Sequence, residues 1–291
     1  MRIGIDLGGS HIGIGIIDNG KIICKKKIDI SYEENIKEKI ERYIDTEINN
    51  ILQKYDIELI GIAAPGNPKD NKINNIVNLK IDELDLGKIL EKYNIKIKTQ
   101  NDAKAAAIAE KKYGALKDYK DSVFLCLGTG IGSAVFLNNE LLKANKNPGF
   151  ELGHMVIERN GIQCNCGKKG CFETYCSIKR FKINAQKILD MNEATSKEIL
   201  NEITMNMDKK EIDLLISEYI DNLIIGLSNV IDIFEPEAIA IGGGFVYFKD
   251  IFYDRLVEEM NTRRYVFNKN SITKIVLAEL GNDAGMIGAV I

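Results

Sequence analysis

The chain has 291 residues, of which 45% are apolar and 28% are charged, and its formal net charge is −3. This length is sufficient for two domains, and the balanced charge excludes the strongly basic surface of nucleic-acid-binding proteins and of proteins that bind membrane surfaces. No run of eighteen apolar residues predicts a membrane span. A strand pattern begins directly after Met1, so we expect no signal peptide, a cytoplasmic location and reduced cysteines.

The first predicted elements are two strands joined by a glycine turn. Apolar residues alternate on both sides of Gly8, Gly9 and Ser10, and Asn19-Gly20 predicts a further turn into a third strand. Backbone N–H groups of a glycine turn face anions closely. Asp6 directly precedes the turn, where a carboxylate can hold hydrated Mg²⁺. The alternative is an ordinary hairpin beside a structural aspartate.

A long helix and a short strand follow. Residues 36–55 keep an apolar stripe at helical spacing, and Ser31 with Glu34 fits a capping box at the start of this helix. Residues 59–64 then predict an apolar strand that ends at Gly66.

The next strand ends in a pair of polar residues. Residues 95–99 predict the strand, Asn101 and Asp102 follow it, and residues 103–113 predict a helix. Asp102 therefore lies at a strand-to-helix junction, where α/β sheets commonly contact ligands. Asp102 is the N-cap of this helix, a catalytic carboxylate, or both.

Residues 122–137 repeat the N-terminal pattern of strand, glycine turn and strand, at an offset of about 120 residues. Such a repeat predicts two similar domains with a nucleotide cleft between them. A helix does not follow the glycines, and the Gly-Lys-Ser/Thr of a P-loop is absent, which excludes both standard phosphate motifs. The repeat supplies further candidate phosphate contacts at Gly128, Thr129, Gly130 and Gly132.

Residues 147–177 contain the highest concentration of side chains that can bind a metal or take part in catalysis. Cys164, Cys166 and Cys171 alternate with glycines, and His154 lies ten residues before the first of them. Zinc takes four tetrahedral ligands, usually thiolate sulfur and imidazole nitrogen. The spacing favours zinc over buried reduced thiols or a disulfide. Cys176 is an alternative ligand or a packed thiol.

Two carboxylates flank these ligands. Glu151 and Glu173 are either solvated surface side chains, the usual state of glutamate, or acceptors for the hydroxyl groups of a polyhydroxylated ligand. The sequence pattern alone leaves both interpretations open.

The last third of the chain supports the α/β pattern. Residues 190–211 are polar and predict helices and loops without evident chemistry, whereas residues 216–234 predict an amphipathic helix. A strand over 238–241 leads to Gly243 and Gly244, which allow either close approach by a flat ring such as adenine or a plain strand-to-helix turn. The chain ends with a predicted strand over 274–278 and a helix of small residues over 283–291.

Taken together, these motifs resemble the ROK family (repressors, open reading frames and kinases) of bacterial sugar kinases, within the actin/hexokinase/Hsp70 ATPase superfamily. The resemblance covers essentially the whole chain. Its most specific parts are the GFELGH and CNCGKKGCFE motifs, supported by IGIDLGGSHI, GTGIG and IGGG. It implies an α/β fold with two duplicated ribonuclease-H-like domains, an interdomain cleft and a small zinc loop. The implied domains are 1–114 joined by 281–291, and 115–280 with the zinc loop at 151–173.

The resemblance also implies site residues. The catalytic base is Asp102, and the implied sugar contacts are Gly66, Asn101, Asp102, Glu151, His154 and Glu173. The implied nucleotide contacts are Asp6, Gly8, Gly9, Ser10, Gly128, Thr129, Gly130, Gly132, Gly243 and Gly244. The implied ligands of a structural Zn²⁺ are His154, Cys164, Cys166 and Cys171.

The implied activity is ATP- and Mg²⁺-dependent phosphorylation of a hexose, with glucose as the leading substrate. N-acetylmannosamine or another hexose, such as fructose, allose or a β-glucoside, is the alternative substrate, and a catalytically weak sugar sensor is the alternative class. The partners are a sugar and ATP in a homodimer or homotetramer. Repressors of the family carry an N-terminal helix-turn-helix, which we do not expect here because the kinase pattern begins at Arg2.

Three residues depart from the family pattern. Ser10 replaces the usual threonine and keeps its hydroxyl. Ser133 replaces a common glycine after the second turn, and Phe150 precedes Glu151 where a small residue is common. We expect the last two to change the backbone approach and the shape of the sugar pocket.

Overall fold

The computed structural model describes residues 1–8, 11–66, 68–76, 79–144, 149–262 and 273–291. Gly9 and Ser10, two of the predicted nucleotide contacts, lie outside the described residues. The strands are β1 (Arg2–Leu7), β2 (His11–Asp18), β3 (Lys21–Asp29), β4 (Leu59–Ala64), β5 (Lys72–Ile76), β6 (Ile81–Asp85), β7 (Lys96–Asn101), β8 (Ser122–Leu127), β9 (Ile131–Leu137), β10 (Glu140–Leu141), β11 (Ala238–Gly243) and β12 (Lys274–Leu277). The α-helices are α1 (Ile36–Leu52), α2 (Leu86–Leu90), α3 (Asp102–Tyr113), α4 (Glu173–Cys176), α5 (Ile178–Ile188), α6 (Ser196–Met205), α7 (Lys210–Phe234), α8 (Lys249–Thr262) and α9 (Ala284–Ala289).

The chain divides into two compact units. Unit 1 comprises Met1–Lys117 and Asn282–Ile291, and unit 2 comprises Asp118–Gly281. Each unit has its own apolar core. In unit 1 the alternating residues Ile3, Ile5 and Leu7 of β1 are fully buried, because β1 lies in the middle of its sheet.

The two units contain the same sheet. In unit 1 the strand order is β3-β2-β1-β4-β7, and in unit 2 it is β10-β9-β8-β11-β12. In each sheet three consecutive strands pair antiparallel: β1, β2 and β3 in unit 1, and β8, β9 and β10 in unit 2. Two further strands then pair in parallel on the other side of the first one: β4 and β7 in unit 1, and β11 and β12 in unit 2. The repeat detected at residues 2–18 and 122–137 is therefore a duplication of this five-stranded unit, which confirms the predicted fold class.

The C-terminal helix α9 returns to unit 1 and packs closely on α3. A Cβ at Gly288 would lie 1.7 Å from the carbonyl oxygen of Ala105, so only glycine allows the two helices to approach this far. The predicted close packing of small residues is confirmed, although the helix covers Ala284–Ala289 rather than residues 283–291.

The predicted capping box at the start of α1 is wrong. The N-cap of α1 is Asn35, in the left-handed conformation, and it makes no side-chain cap hydrogen bond. A capping box forms instead at α6, between Thr195 and Glu198. The stripe of α1 is confirmed, because its Ile residues at every fourth position are buried.

Helix α7 is the central helix of unit 2. It begins at Lys210, six residues before the predicted start, and its residues are apolar enough to cross a membrane by length and composition. In this structure 61% of its most apolar window is buried inside the protein, as in the core helix of a globular domain. The hairpin of β5 and β6 was not predicted from the sequence.

Candidate active site and metal centre

The carboxyl ends of three parallel strands in unit 1 bring the predicted acidic residues to one sheet edge. In the register, Asp6 pairs with Ala63 between β1 and β4, and Ala64 pairs with Asn101 between β4 and β7. Asp6 and Asp102 therefore lie on strand ends that are separated by one strand of the same edge. This is the edge at which open α/β sheets bind ligands.

Asn101, and not Asp102, is the N-cap of α3. The Asn101 Oδ1 atom accepts a hydrogen bond from the Lys104 N–H at 3.0 Å, and its Nδ2 donates to the Gly66 carbonyl at 2.8 Å. Asp102 is the first residue of the helix, and its Oδ1 accepts from the Ala103 N–H at 2.7 Å. An amide offers two donors and two acceptor sites, so these two bonds to described residues leave one N–H and one lone pair of Asn101 for a ligand.

His11 is a polar neighbour of Asp6 to which the sequence analysis gave no role. Its Nε2 lies 3.5 Å from Asp6 Oδ2, and its ring lies against Gly8, where a Cβ would come within 2.9 Å of the ring. One of the two histidines in the chain therefore stands beside the carboxylate predicted to hold Mg²⁺. Its position directly after the glycine turn is the signal in the sequence that identifies it.

The predicted zinc ligands converge in unit 2. One ligand atom from each of His154, Cys164, Cys166 and Cys171 lies within 4.8 Å of the others. The Cys164 Sγ is 3.7 Å from His154 Nδ1, and Cys166 Sγ is 3.5 Å from Cys171 Sγ. Bond lengths of about 2.3 Å to sulfur and about 2.0–2.1 Å to nitrogen separate tetrahedral zinc ligands by roughly 3.5–3.8 Å. The four side chains therefore fit a zinc ion.

The six cysteines form no disulfide, and all of them lie in the described ranges. Burial raises the pKa of the Cys164 thiol to about 12 and also raises the pKa of Cys171, whereas the Lys168 backbone N–H lowers the pKa of the exposed Cys166. Cys176 lies outside the four-ligand group and is fully buried in the core of unit 2, and burial raises its pKa well above the usual thiol value. Of the two interpretations given for Cys176, an alternative zinc ligand or a packed thiol, the structure therefore supports the packed thiol.

Protein hydrogen bonds also hold the zinc loop. The Lys168 ammonium donates to the His154 carbonyl at 2.7 Å, and the Ile162 N–H donates to the Tyr175 hydroxyl at 2.9 Å. The sequence gives no signal for Lys168 or Tyr175, because their spacing from their partners follows no motif. These contacts shape the loop in addition to any metal.

The two flanking carboxylates lie in different surroundings. Glu151 is exposed and precedes a short 3₁₀ turn that ends at His154. Glu173 begins α4, and its Oε1 lies 3.1 Å from Cys164 Sγ and 3.5 Å from His154 Nδ1. Because Nδ1 faces the cysteines, the remaining ring nitrogen of His154, Nε2, is the one that can face a ligand.

Glu173 also contacts the second glycine turn. Its Oε2 accepts from the Ile131 N–H at 3.4 Å, and a Cβ at Gly130 would lie 2.6 Å from the same oxygen. A single carboxylate therefore joins the metal-ligand cluster to the turn predicted to hold phosphate.

The second glycine turn, residues 128–132, is short and is hydrogen-bonded to the first turn of α5. The Gly128 N–H donates to the Gly130 carbonyl at 2.9 Å, and the Lys179 N–H in the first turn of α5 donates to the Gly128 carbonyl at 3.1 Å. Thr129 is exposed, and Gly132 lies within β9. Exposed backbone beside a helix start is suited to an anion.

Gly243 and Gly244 reach the same sheet edge from β11. Gly243 pairs with Leu127, directly before the glycine turn, and its φ of 69° is in the left-handed region. Gly244 packs against Ile178 at the start of α5. The structure thus brings the predicted nucleotide residues of unit 2 together at the ends of β8 and β11.

Comparison with known proteins decides the family. The profile of the ROK family matches residues 2–291. The chain belongs to the ROK family. It is 30% identical to a glucokinase of Thermotoga maritima, over 99% of this chain and 95% of that protein. It is also 30% identical to a xylose repressor of Bacillus subtilis, over 98% of this chain and 75% of the repressor.

A solved structure gives the same family relationship. A candidate N-acetylmannosamine kinase of Listeria monocytogenes superimposes with a TM-score of 0.80 at 27% identity, over 99% of this chain and 96% of that chain. This ROK chain therefore has the fold of sugar kinases along its whole length.

The metal centre of this ROK protein leads to a first prediction. We expect protein purified without added metal to retain about one zinc ion per chain, because four side chains complete a closed tetrahedral site. Elemental analysis of the purified protein measures the ratio. A fully active preparation that contains no zinc would contradict the metal centre.

A second prediction concerns the contact between Glu173 and the glycine turn. We expect Gly130→Ala to weaken sugar binding by roughly tenfold or more, because the new methyl group displaces a proposed sugar contact. Gly128→Ala is the matched control, since its Cβ meets nothing within 4 Å and neither glycine has a left-handed φ. Isothermal titration of both variants with the sugar compares them, and equal affinities would contradict the prediction.

Proposed function

We propose that this ROK protein is an ATP-dependent hexose kinase that phosphorylates glucose to glucose 6-phosphate. The observation that carries the proposal is the double contact of Glu173, with the His154 and Cys164 cluster on one oxygen and with the glycine turn at Ile131 on the other. Phosphoryl transfer to a sugar needs a group that binds sugar hydroxyls close to groups that bind phosphate. Glu173 can accept from sugar hydroxyls, and it lies beside a glycine turn that can bind phosphate.

The proposed base is Asp102. Phosphoryl transfer depends on positioning and charge neutralisation more than on covalent chemistry. Asp102 accepts the proton of the attacking hydroxyl on C6 of the hexose, and its hydrogen bond to the Ala103 N–H keeps the carboxylate oriented at the start of α3. Asp6 would hold Mg²⁺, directly or through water. The Gly8 and Gly128 N–H groups already donate to the His11 and Gly130 carbonyls, so in this proposal the N–H groups of Thr129 and Gly130 serve the ATP phosphates.

Hydrogen-bond donors and acceptors orient the sugar ring in this proposal. Glu151 and Glu173 accept from sugar hydroxyls, His154 Nε2 donates, and Asn101 offers its remaining amide hydrogen and lone pair. Sites of this kind discriminate strongly against analogues that lack a hydroxyl, because the polar groups that bind that hydroxyl then lose their partner. We therefore expect deoxy sugars to be poor substrates.

Zinc is structural in this proposal. The site holds four protein ligands and so leaves no open position for a reacting water. When bound, the ion fixes His154 and keeps the cysteines as thiolates. The residues of the chain perform the binding and proton transfer.

A second function is favoured by the Bacillus subtilis relative, which is a xylose repressor. A sugar sensor would use the same sugar contacts without needing a base. Asp102 at the sheet edge supports the kinase instead, because sensing does not require a carboxylate at that position.

A coupled assay of ATP turnover tests the proposal. The panel contains glucose, N-acetylmannosamine, fructose, allose, xylose and a β-glucoside, with Mg²⁺ present, and sugar binding is measured in parallel by calorimetry. Turnover with one hexose far above the others supports the kinase and names its substrate. Sugar binding without ATP turnover on any sugar would overturn the kinase in favour of the sensor.

A further inference from the structure

Ser133 forms two hydrogen bonds to the segment that carries Glu151. It is the third residue of β9, and only 2% of it is exposed. Its hydroxyl donates to the Phe150 carbonyl at 2.6 Å, and the Leu152 N–H donates to its Oγ at 3.0 Å. One buried side chain thus binds the peptide groups on both sides of Glu151.

The backbone at Phe150 needs such support. Its φ is 61°, in the left-handed region that residues with a Cβ rarely adopt. The ring of Phe150 packs on the core of unit 2 and lies 6.4 Å from that of Phe234, centroid to centroid. The aromatic contact holds the side chain, and Ser133 holds the carbonyl.

The same segment continues directly into the zinc loop. The Glu151 carbonyl accepts from the His154 N–H at 3.0 Å, which closes the 3₁₀ turn after Glu151. The peptide groups before and after Glu151 are therefore fixed to β9 and to the turn. The backbone of Glu151 is thus ordered before a ligand arrives, which reduces the entropy lost on binding.

We propose that Ser133 is a positioning residue that fixes the carboxylate of Glu151 for sugar binding. The inference rests on the proposed function, in which Glu151 accepts from sugar hydroxyls. A positioning role for Ser133 also accounts for two departures from the family pattern, Ser133 and Phe150. The Ser133 hydroxyl binds the carbonyl of Phe150, the residue whose backbone is left-handed. Phe150 acts on the pocket through its backbone, while its ring belongs to the core.

The test compares two buried serines of the same sheet. Ser133→Ala removes both hydrogen bonds to the Glu151 segment. Ser122→Ala is the matched control: Ser122 is fully buried in β8, and within the described part of the chain its Oγ has no hydrogen-bond partner. Both variants are measured for thermal stability, zinc content, sugar Kd, nucleotide Kd and amide exchange of residues 149–154.

We expect Ser133→Ala to raise the sugar Kd by about tenfold, since the segment around Glu151 loses two hydrogen bonds and must then be ordered by the sugar itself. The nucleotide Kd should change by less than about twofold, and amide exchange of residues 149–154 should accelerate. Ser122→Ala should resemble the wild type in each measurement. A sugar Kd unchanged in Ser133→Ala overturns the proposal, whether or not amide exchange changes.

The other outcomes are also decisive. Equal losses of sugar and nucleotide affinity would show a general structural defect and overturn the positioning role. A wild-type protein that binds no sugar of the panel would refute the proposed function itself, and this inference with it. A sugar-binding wild type with an unaffected Ser133→Ala variant would refute only the inference.

Discussion

Asp102→Asn should bind the sugar with unchanged affinity and lose turnover by roughly 10²–10⁴-fold, the usual contribution of a general base. The fold should be retained, because the asparagine side-chain oxygen can accept the same hydrogen bond from the Ala103 N–H that Asp102 Oδ1 accepts at 2.7 Å. What the variant lacks is the ability to take the proton of the attacking hydroxyl. Steady-state kinetics with the best sugar of the panel measure the loss.

The matched control is Asp85→Asn. Asp85 is also a carboxylate at a helix start in unit 1, where it accepts from the Lys88 N–H and caps α2. Asparagine caps helices about as well as aspartate, so this variant should keep full turnover. Turnover of Asp102→Asn within about tenfold of the wild type would remove the general-base role, and an equal loss in Asp85→Asn would show that the loss reflects charge or stability.

Cys166→Ser should lose zinc and, with it, sugar affinity. Even changes outside the ligand shell cost roughly 10–100-fold in metal affinity, so removal of a ligand should cost more. Cys166 is exposed, and serine fits its place without a steric conflict. The variant should therefore remain folded while its metal centre is lost.

The structure supplies the reason why the sugar contacts fail together. Without metal, the Cys164 thiol is protonated at neutral pH, as an ordinary thiol is, and burial raises its pKa further. The thiol then donates to Glu173 Oε1. If Cys164 held zinc as a thiolate, it could no longer donate to Glu173 Oε1, and that oxygen would be available to a sugar hydroxyl. Loss of zinc also releases Nδ1 of His154, so the ring loses its fixed tautomer.

Two titrations test this prediction on folded protein, one with sugar and one with nucleotide. We expect sugar affinity to fall by about tenfold or more and nucleotide affinity to change much less, because the glycine turns hold their own backbone hydrogen bonds. Cys24→Ser is the matched control, since Cys24 is an exposed cysteine of β3 in the other unit. Unchanged sugar affinity in zinc-free Cys166→Ser would show that the zinc loop does not shape the sugar site.

The amino-acid sequence by itself determined the features that depend on neighbours along the chain. Alternation of apolar residues predicted the strands on both sides of each glycine turn, and their repetition predicted the duplicated sheet. The zinc ligands lie within eighteen positions of one another, from His154 to Cys171, so their spacing alone predicted the cluster that the structure forms. Short-range periodicity and spacing are visible in a sequence because the backbone geometry of strands and turns fixes them.

Only the tertiary structure decided the contacts between distant segments. Glu173 meets the Ile131 N–H across 42 positions, and Asn101 meets the Gly66 carbonyl across 35. Sequence spacing carries no signal for such pairs, because the sheet register and the helix packing bring them together. The N-cap of α3 is a further case: the sequence predicted Asp102 as a candidate for that position, and the structure gives it to Asn101. Local pattern specifies which elements form, whereas the burial of their apolar faces against one another decides which side chains meet.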